Sequence, residues 1–546
     1  MAVAEGITLD KIPLVVGVTG HRNIASADEA PLRAAFGGIL AELAERYPHT
    51  PLLVLSGLAA GADVLAAEEA LARGIPVIAC LPMDVAEYEN DFNEAERERF
   101  RAILPRCARK PVVSQSGDRR SGYVATGLFI TRYSHVLVAF WDGLEGRGRG
   151  GTADVVQTRL TGESAQPDGV AVIPYLPDVG PVYHIVTPHD GVDRPADSFA
   201  VHRLYPRKFG DDLTVARDFE AALAHLDTYD ADLGRAPDTR TATLHALHER
   251  TDAVANTLQK RTNFFLGLLY IILFFAATAQ ITTENLAYKL FGILVTLGVY
   301  FLARKNDYEN RYQDYRALAE GLRVQEAWYC GGLRNELVDV FYLRMQQSEL
   351  QWIRMALRCA FLLFCEPGVA PAEAPDPKVC EDWVSGQVEY FEFKRRDQAA
   401  RHKVLTTIST VALVAGGAIS LAAFIAYVVH GHYTLAGAFW DPNNPFWDQN
   451  WAWSVGRLMT VPLPLAALVS TLLWQYGEKR NYAANARRYQ RMYIVFERAS
   501  EHLEKIGARD TPEALAVIHD LGEEALIEHA DWLLARRDRP LSLAHA

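Results

Sequence analysis

Several absences narrow the chemistry open to this 546-residue chain. The six cysteines, Cys80, Cys107, Cys330, Cys359, Cys365 and Cys380, form no Cys-x-x-Cys pair and no dense framework. Neither structural zinc nor a disulfide scaffold is therefore indicated, and a reducing compartment is the simpler expectation. Basic charge is scarce as well: 55 Lys and Arg stand against 67 Asp and Glu, for a net charge of -12. Without a concentrated excess of cations to neutralise phosphates, a nucleic-acid partner is not expected. No Gly-x-Ser-x-Gly elbow, His-Glu-x-x-His helix or EF-hand loop occurs, so no metal and no cofactor is expected. The first ten residues are acidic and lack an apolar core, which argues against a cleaved signal peptide.

What is present begins with alternation. Residues 11–200 read as buried strands and amphipathic helices in turn, the pattern of a Rossmann-like α/β domain with a mainly parallel sheet. Strands are expected at 14–18, 52–55, 75–81, 135–141 and 182–186, the last closing the sheet. Helices are expected from near Asp28 to before Pro48, over 64–73 and over 122–133.

Polar, glycine-bearing loops follow three of these strands. They are Thr19-Gly20-His21-Arg22 after Gly17, Ser56-Gly57-Leu58-Ala59-Ala60-Gly61-Ala62-Asp63, and the stretch from Gly146 through Arg149-Gly150-Gly151-Thr152-Ala153-Asp154. A further polar loop begins at Pro82, and Asp142 ends the strand before the glycine-dense run. Ligands of open α/β sheets sit beyond the carboxyl ends of the strands. Glycine lets the backbone approach a phosphate, and the amides at a helix start favour an anion. Arg22 and Arg149 can add charged contacts, and Asp63 or Asp154 can accept from a ribose hydroxyl. One such loop is equally a tight strand-to-helix turn. Three on one edge point to a binding crevice.

These motifs, with Val15-Val16-Gly17-Val18 ahead of them, resemble the SLOG superfamily, Rossmann-like domains that include cytokinin-activating phosphoribohydrolases, the DNA-processing protein A domain and ligand sensors of bacterial antiphage systems. The resemblance covers roughly the first 200 residues and implies recognition of a nucleotide or nucleotide-derived signal. The phosphoribohydrolases carry Pro-Gly-Gly-x-Gly-Thr-x-x-Glu, the glutamate serving glycosidic cleavage. Here Arg147 stands at the Pro position, Arg149 at the second Gly and Val155 at the Glu, while Gly-Gly-Thr is kept. The resemblance thus implies a binder with no catalytic residue. His21 is either a ligand contact or an ordinary loop histidine, and His184 and His189 read as solvated or satisfied by backbone.

Beyond this domain, residues 211–261 read as a helical stem. Leu244, Leu247, Thr251, Val254 and Leu258 recur at helical spacing along it. Two hydrophobic pairs follow, at 263–281 with 286–303 and at 404–429 with 458–474. Each span approaches the ~20 residues that cross a bilayer. Each pair runs into a basic, tyrosine-bearing segment holding Arg311-Tyr312-Gln313 or Arg488-Tyr489-Gln490. The expectation is four transmembrane helices in two units, residues 262–365 and 379–540, with cytoplasmic helices and a proline-rich linker at 366–378. Residues 355–365 are too short and carry Arg358, so they are not counted as a span. Basic residues bracket both pairs, placing both termini in the cytoplasm. Trp440, Trp447, Trp451 and Trp453 suit an interfacial belt.

A hairpin with cytoplasmic helices beside a SLOG-like domain resembles the SLATT family, two-helix membrane effectors associated with nucleotide-signal synthases. This second resemblance, from residue 252 onward, implies a bacterial inner-membrane effector that perforates or perturbs the bilayer as a homo-oligomer. The partners it implies are a cyclic oligonucleotide or cyclic ADP-ribose type of messenger and the lipid bilayer. A membrane-tethered nucleotide or NAD hydrolase is the alternative. Acidic residues are absent from the spans, which weighs against a transporter. The Ala412, Gly416, Ser420 ladder reads either as an assembly contact or as packing within one subunit.

Overall fold

A computed structural model describes residues 11–114, 118–144, 150–162, 179–188, 194–206, 212–235, 243–282, 285–305, 307–343, 350–366, 376–436, 458–508 and 510–537. Its contacts group into two compact units. The first comprises Met1–Val254, Asp314–Cys380 and Ile518–Ala530; the second comprises Ala255–Gln313, Glu381–Val517 and Asp531–Ala546.

The first unit is built on a six-stranded sheet: β1 (Leu14–Gly20), β2 (Leu52–Ser56), β3 (Val77–Ala79), β4 (Val136–Trp141), β5 (Val182–Val186) and β6 (Val201–Leu204). The order is β3-β2-β1-β4-β5-β6. β1 to β5 run parallel and β6 pairs antiparallel with β5. Continuous Val/Leu/Ile runs form the central strands because helices cover both faces of such a sheet. Every residue of β2, β3 and β5 is buried. The sheet does not close at Val182–Val186 as expected. β6 lies outside it, and its exposed Val201, His202 and Arg203 suit an edge strand; those polar side chains also hid it among the apolar runs. β3 is shorter than 75–81, and its edge is satisfied instead by chain at Arg109 and Pro111, whose carbonyls accept from Ala79 and Leu81.

The helices between the strands are α1 (Ser26–Arg46), α2 (Ala62–Ala72), the single turn α3 (Val85–Tyr88), α4 (Glu94–Ile103), α5 (Arg119–Tyr133) and α6 (Thr152–Thr161). Then come α7 (Asp212–Leu233), α8 (Leu244–Thr282), α9 (Leu286–Lys305), α10 (Tyr308–Cys330) and α11 (Gln351–Phe364). The last four are α12 (Pro377–Ala436), α13 (Pro462–Arg480), α14 (Tyr482–Ile506) and α15 (Pro512–Arg537).

Elements distant in sequence complete the sheet's core. Asp230 of α7 accepts the Ile12 amide at 3.1 Å from a buried position, and burial pushes its carboxyl well up. His135 accepts the Val15 amide on Nδ1 at 3.0 Å, and its Nε2 faces the Met355 carbonyl of α11 at 3.4 Å. Burial pushes this imidazole down to about 3, so it stays neutral and cross-links β1, β4 and α11. As expected, α11 is not a membrane span: Trp352, Ile353, Leu357 and Cys359 are buried. Its Arg358 donates to the fully enclosed Asp339 and, at 3.0 Å, to the Arg132 carbonyl. α15 joins the same unit through Trp328, which donates to the Ile518 carbonyl at 3.1 Å and stacks on His519 with ring centroids 5.0 Å apart. Of the expected stem face on α8, Leu244, Leu247, Thr251 and Leu258 are buried and Val254 is half-buried.

The second unit is helical. Among the described residues, three stretches are long and apolar enough to cross a membrane: Leu244–Thr282, Pro377–Val429 and Leu458–Ile506; Leu286–Leu302 is a shorter apolar helix. Within the unit, helices meet at small residues. A Cβ on Gly292 would lie 3.0 Å from Ala276 Cβ, and one on Gly416 would lie 2.3 Å from Ala466 Cβ and 2.9 Å from the Pro462 carbonyl oxygen. Gly416 of the ladder thus packs within the chain. Ser409 and Ser470 share a hydroxyl hydrogen bond of 2.6 Å beside it. At the basic ends, Lys479 pairs with Glu309 at 3.0 Å, Arg480 donates to Asn263, and Tyr308 stacks on Phe265. The four tryptophans of the expected interfacial belt lie outside the described residues.

Candidate functional site

The strand order reverses direction at β1. From there β2 and β3 extend one way, and the chain returns to β4 on the other side. Such a switch point leaves a crevice beyond the carboxyl ends of the two central strands. A cavity of about 290 Å³ lies there, lined by Thr19 and Gly20 at the end of β1, His21 and Arg22 after it, Gly57 and Asp63 around the β2–α2 turn, and Pro82 after β3. Gly150, Gly151 and Thr152 at the start of α6 complete this part of the lining. The volume is near the lower end of ligand pockets.

Backbone geometry explains the glycines. Gly61 has φ +83°, and a Cβ there would sit 2.2 Å from the Arg22 carbonyl oxygen, so the β1 and β2 loops touch only because the side chain is missing. A Cβ on Gly20 would meet Ala62 Cβ at 2.4 Å, bringing the start of α2 onto β1. Gly150, at φ +81°, donates its amide to Asp154 Oδ2 at 2.8 Å, and Gly151 is the residue before α6. The amino end of α6, the positive end of its dipole, therefore opens on the cavity.

Asp63 is a strongly perturbed carboxyl in the lining. Burial pushes its carboxyl up to about 7, against the pull of the Ala59 and Gly57 amides and of Arg22. Ser56 braces the same turn, its hydroxyl donating to the Asp63 carbonyl at 3.0 Å and accepting from the Leu58 amide at 3.1 Å. His21 accepts the Asp142 amide on Nε2 at 3.0 Å, tying the ends of β1 and β4 together. A nitrogen that accepts an N–H carries no proton, so the proton of the neutral ring is on Nδ1. Asp142 in turn accepts from the Leu144 amide at 3.0 Å.

The expected residues therefore divide. Thr19, Gly20, His21, Arg22, Gly57, Asp63, Pro82, Gly150, Gly151 and Thr152 line one cavity. Ser56, Gly61, Asp142 and Asp154 shape its walls from behind through the contacts above. Gly17 stands below it, where a Cβ would strike Ile130 of α5 at 2.7 Å. Arg149 and His189 lie outside the described residues. His184, as expected, is satisfied by backbone: its Nε2 meets the Trp141 carbonyl at 2.9 Å.

Sequence reasoning missed the roof. Tyr88, and Tyr123, Thr126, Gly127 and Ile130 of α5, also line the cavity. The Arg22 guanidinium lies over the Tyr123 ring at 4.7 Å, and Tyr123 donates to Asp91. Tyr88 donates to the Gly57 carbonyl at 3.0 Å. Thr126 Oγ1 is buried in this wall and has no hydrogen-bond partner among the described residues. The available signal was composition, since Gly122, Thr126 and Gly127 are poor helix formers inside a helix. A Cβ on Gly127 would lie 2.8 Å from Val155 Cγ2, and Val155 itself faces the cavity.

Neither a protein-family model nor a curated protein sequence matches this chain.

Proposed function

We propose that this chain is a sensor and an effector in one: a bacterial inner-membrane protein whose SLOG-like crevice binds a nucleotide-derived second messenger and whose SLATT-like helices then permeabilise the bilayer in antiphage defence. The observation that carries this reading is one cavity holding glycine-turn backbone, a helix start, Arg22 and an unpartnered Thr126 hydroxyl, on a chain that also bears span-length apolar helices. Phosphate fits the α6 start and Arg22. A base fits beside Tyr123, and a sugar hydroxyl fits Asp63 or Thr126. Val155 supports binding over hydrolysis, because an isopropyl group cannot move a proton.

In this reading Leu286–Leu302 is a fourth span, hairpinned with Leu244–Thr282 through Gly292 and Ala276, and both termini are cytoplasmic. Ligand binding favours an open arrangement of a homo-oligomer by a few kcal/mol. The test is dye release from liposomes holding the full chain, challenged with cyclic oligonucleotides and cyclic ADP-ribose isomers. One of these should bind and release dye, and Gly151→Asp should abolish both responses while insertion persists. Binding without release sinks the effector half, and unchanged binding by Gly151→Asp moves the crevice elsewhere.

A membrane-tethered nucleotide hydrolase is a second reading, favoured by one feature: Asp63, in the cavity wall, titrates near neutrality as a general acid or base does. Turnover of nucleoside monophosphates or NAD that disappears in Asp63→Asn would establish it.

A further inference from the structure

Away from the crevice, the start of α8 and the end of α10 bring three ligating side chains together. A ring nitrogen from each of His245 and His248 and a carboxylate oxygen of Glu326 lie within 4.8 Å of one another. We propose that His245, His248 and Glu326 bind a zinc-class divalent transition-metal ion, a site separate from the nucleotide crevice.

The donor set argues for this class. Two imidazoles and one carboxylate suit zinc and its neighbours, whereas calcium and magnesium demand oxygen ligands. Three residues apart on α8, the two histidines share a helix face. His245 Nδ1 already stands 3.1 Å from Glu326 Oε1, close to the ~3.3 Å edge of a tetrahedral site with bonds near 2.0–2.1 Å. All three ligand atoms lie within 4.8 Å, and His245, whose side chain is 56% exposed, has room to turn inward.

Two further observations point to a cation. Glu326 is buried, an unfavourable setting for an anion that a dication reverses. His248 Nδ1 is enclosed without a hydrogen-bond partner among the described residues. The far nitrogen of His245, Nε2, lies 3.4 Å from Glu249 Oε1, the carboxylate-to-histidine contact that orients imidazole ligands in metal sites. Arg323, within electrostatic reach of His248, is paired with Glu320, which offsets its opposing charge. Three protein ligands leave a fourth position for water. Glu326 stands far from the histidine pair in the chain, which is why no spacing motif announced the site.

The test is titration of the tag-free full chain in detergent with zinc sulfate against a chromophoric chelator, and with cobalt(II) followed by its visible d–d bands. One tight zinc per chain is expected, with intense tetrahedral-type cobalt bands and no competition from magnesium. His248→Ala and Glu326→Gln should each abolish that tight site and the bands, and Glu249→Gln should weaken zinc binding roughly 10–100-fold. His245→Ala, at an exposed ring, serves as the ligand variant least disruptive to folding, checked by circular dichroism and elution volume. Tight zinc retained in a folded His245→Ala or Glu326→Gln chain overturns the proposal, as does a full chain that takes up no zinc.

Discussion

Val54 and Phe140 of the sheet are fully enclosed, while Phe275 and Phe291 in the helical unit are 65% and 67% exposed, although all four belong to apolar runs. The difference lies in what each unit uses as a partner for its apolar surface. In the sheet-bearing unit, strands meet helices on both faces and distant segments such as α7 and α11 finish the enclosure, so water is the only solvent it needs. In the most apolar 18 residues of each candidate span no more than 17% are buried, and helices approach one another at Gly292, Gly416 and Ser409. Small residues at close crossings and large ones turned outward are what a helix needs when its surroundings are themselves apolar. The same hydrophobicity is core in one unit and exposed surface on span-length helices in the other.

Mutations that exploit this contrast should differ in size. The largest effect is expected from Gly61→Ala, which combines left-handed strain with a clash against backbone, for roughly 2–6 kcal/mol lost. Denaturant melts of the sheet-bearing unit, followed by near-UV circular dichroism, would register it. Next is Ile425→Lys, a charge on an exposed face of the candidate span Pro377–Val429, expected to cost ~2.5–3.5 kcal/mol of insertion. A glycosylation-reporter insertion assay measures this cost; a chain indifferent to the lysine would place that face in water and erase the contrast. Gly416→Ala should loosen the second helix pair by about 1–3 kcal/mol. Gly417, whose added Cβ would meet only Leu463 at 3.9 Å, should tolerate the same change, and helix-pair cross-linking compares the two.

A pH dependence of the sheet-bearing unit tests the contrast from the other side. Asp63 titrates near 7 in the folded chain and near the ordinary 3.8 when unfolded, so the folded state holds its proton longer. Its contribution to stability is complete below about pH 4 and is lost as pH climbs toward 7. Melting temperatures measured across that range should fall in the native chain and fall less steeply in Asp63→Asn, where buried carboxyls such as Asp230 still contribute. An anionic ligand should also bind less tightly above pH 7, where Asp63 carries its charge.

Much of this arrangement was legible in advance. Strands such as Leu14–Gly20 and Leu52–Ser56 announce themselves because burial on both faces demands unbroken apolar runs. The glycine loops were readable because positive φ and close backbone approach leave few alternatives to glycine. The roof of the cavity was not, because Tyr88 and Thr126 become neighbours of His21 only through helix packing that no local pattern encodes. The role of α11 was equally hidden: its shortness and Arg358 argued against a span, but only the His135 and Arg358 contacts show where it packs. β6 escaped because an edge strand is free to be polar.

The sheet-bearing unit is assembled from three separated lengths of chain, the last contributed by Ile518–Ala530. During synthesis, every candidate span leaves the ribosome before Trp328 can meet Ile518 and His519. In the proposed membrane reading, insertion of these spans precedes completion of the sheet-bearing unit, and the nascent protein is tethered at the bilayer before that domain is finished. A translation product truncated ahead of α15 would be delivered to the membrane with that domain still open, a natural substrate for quality-control proteases.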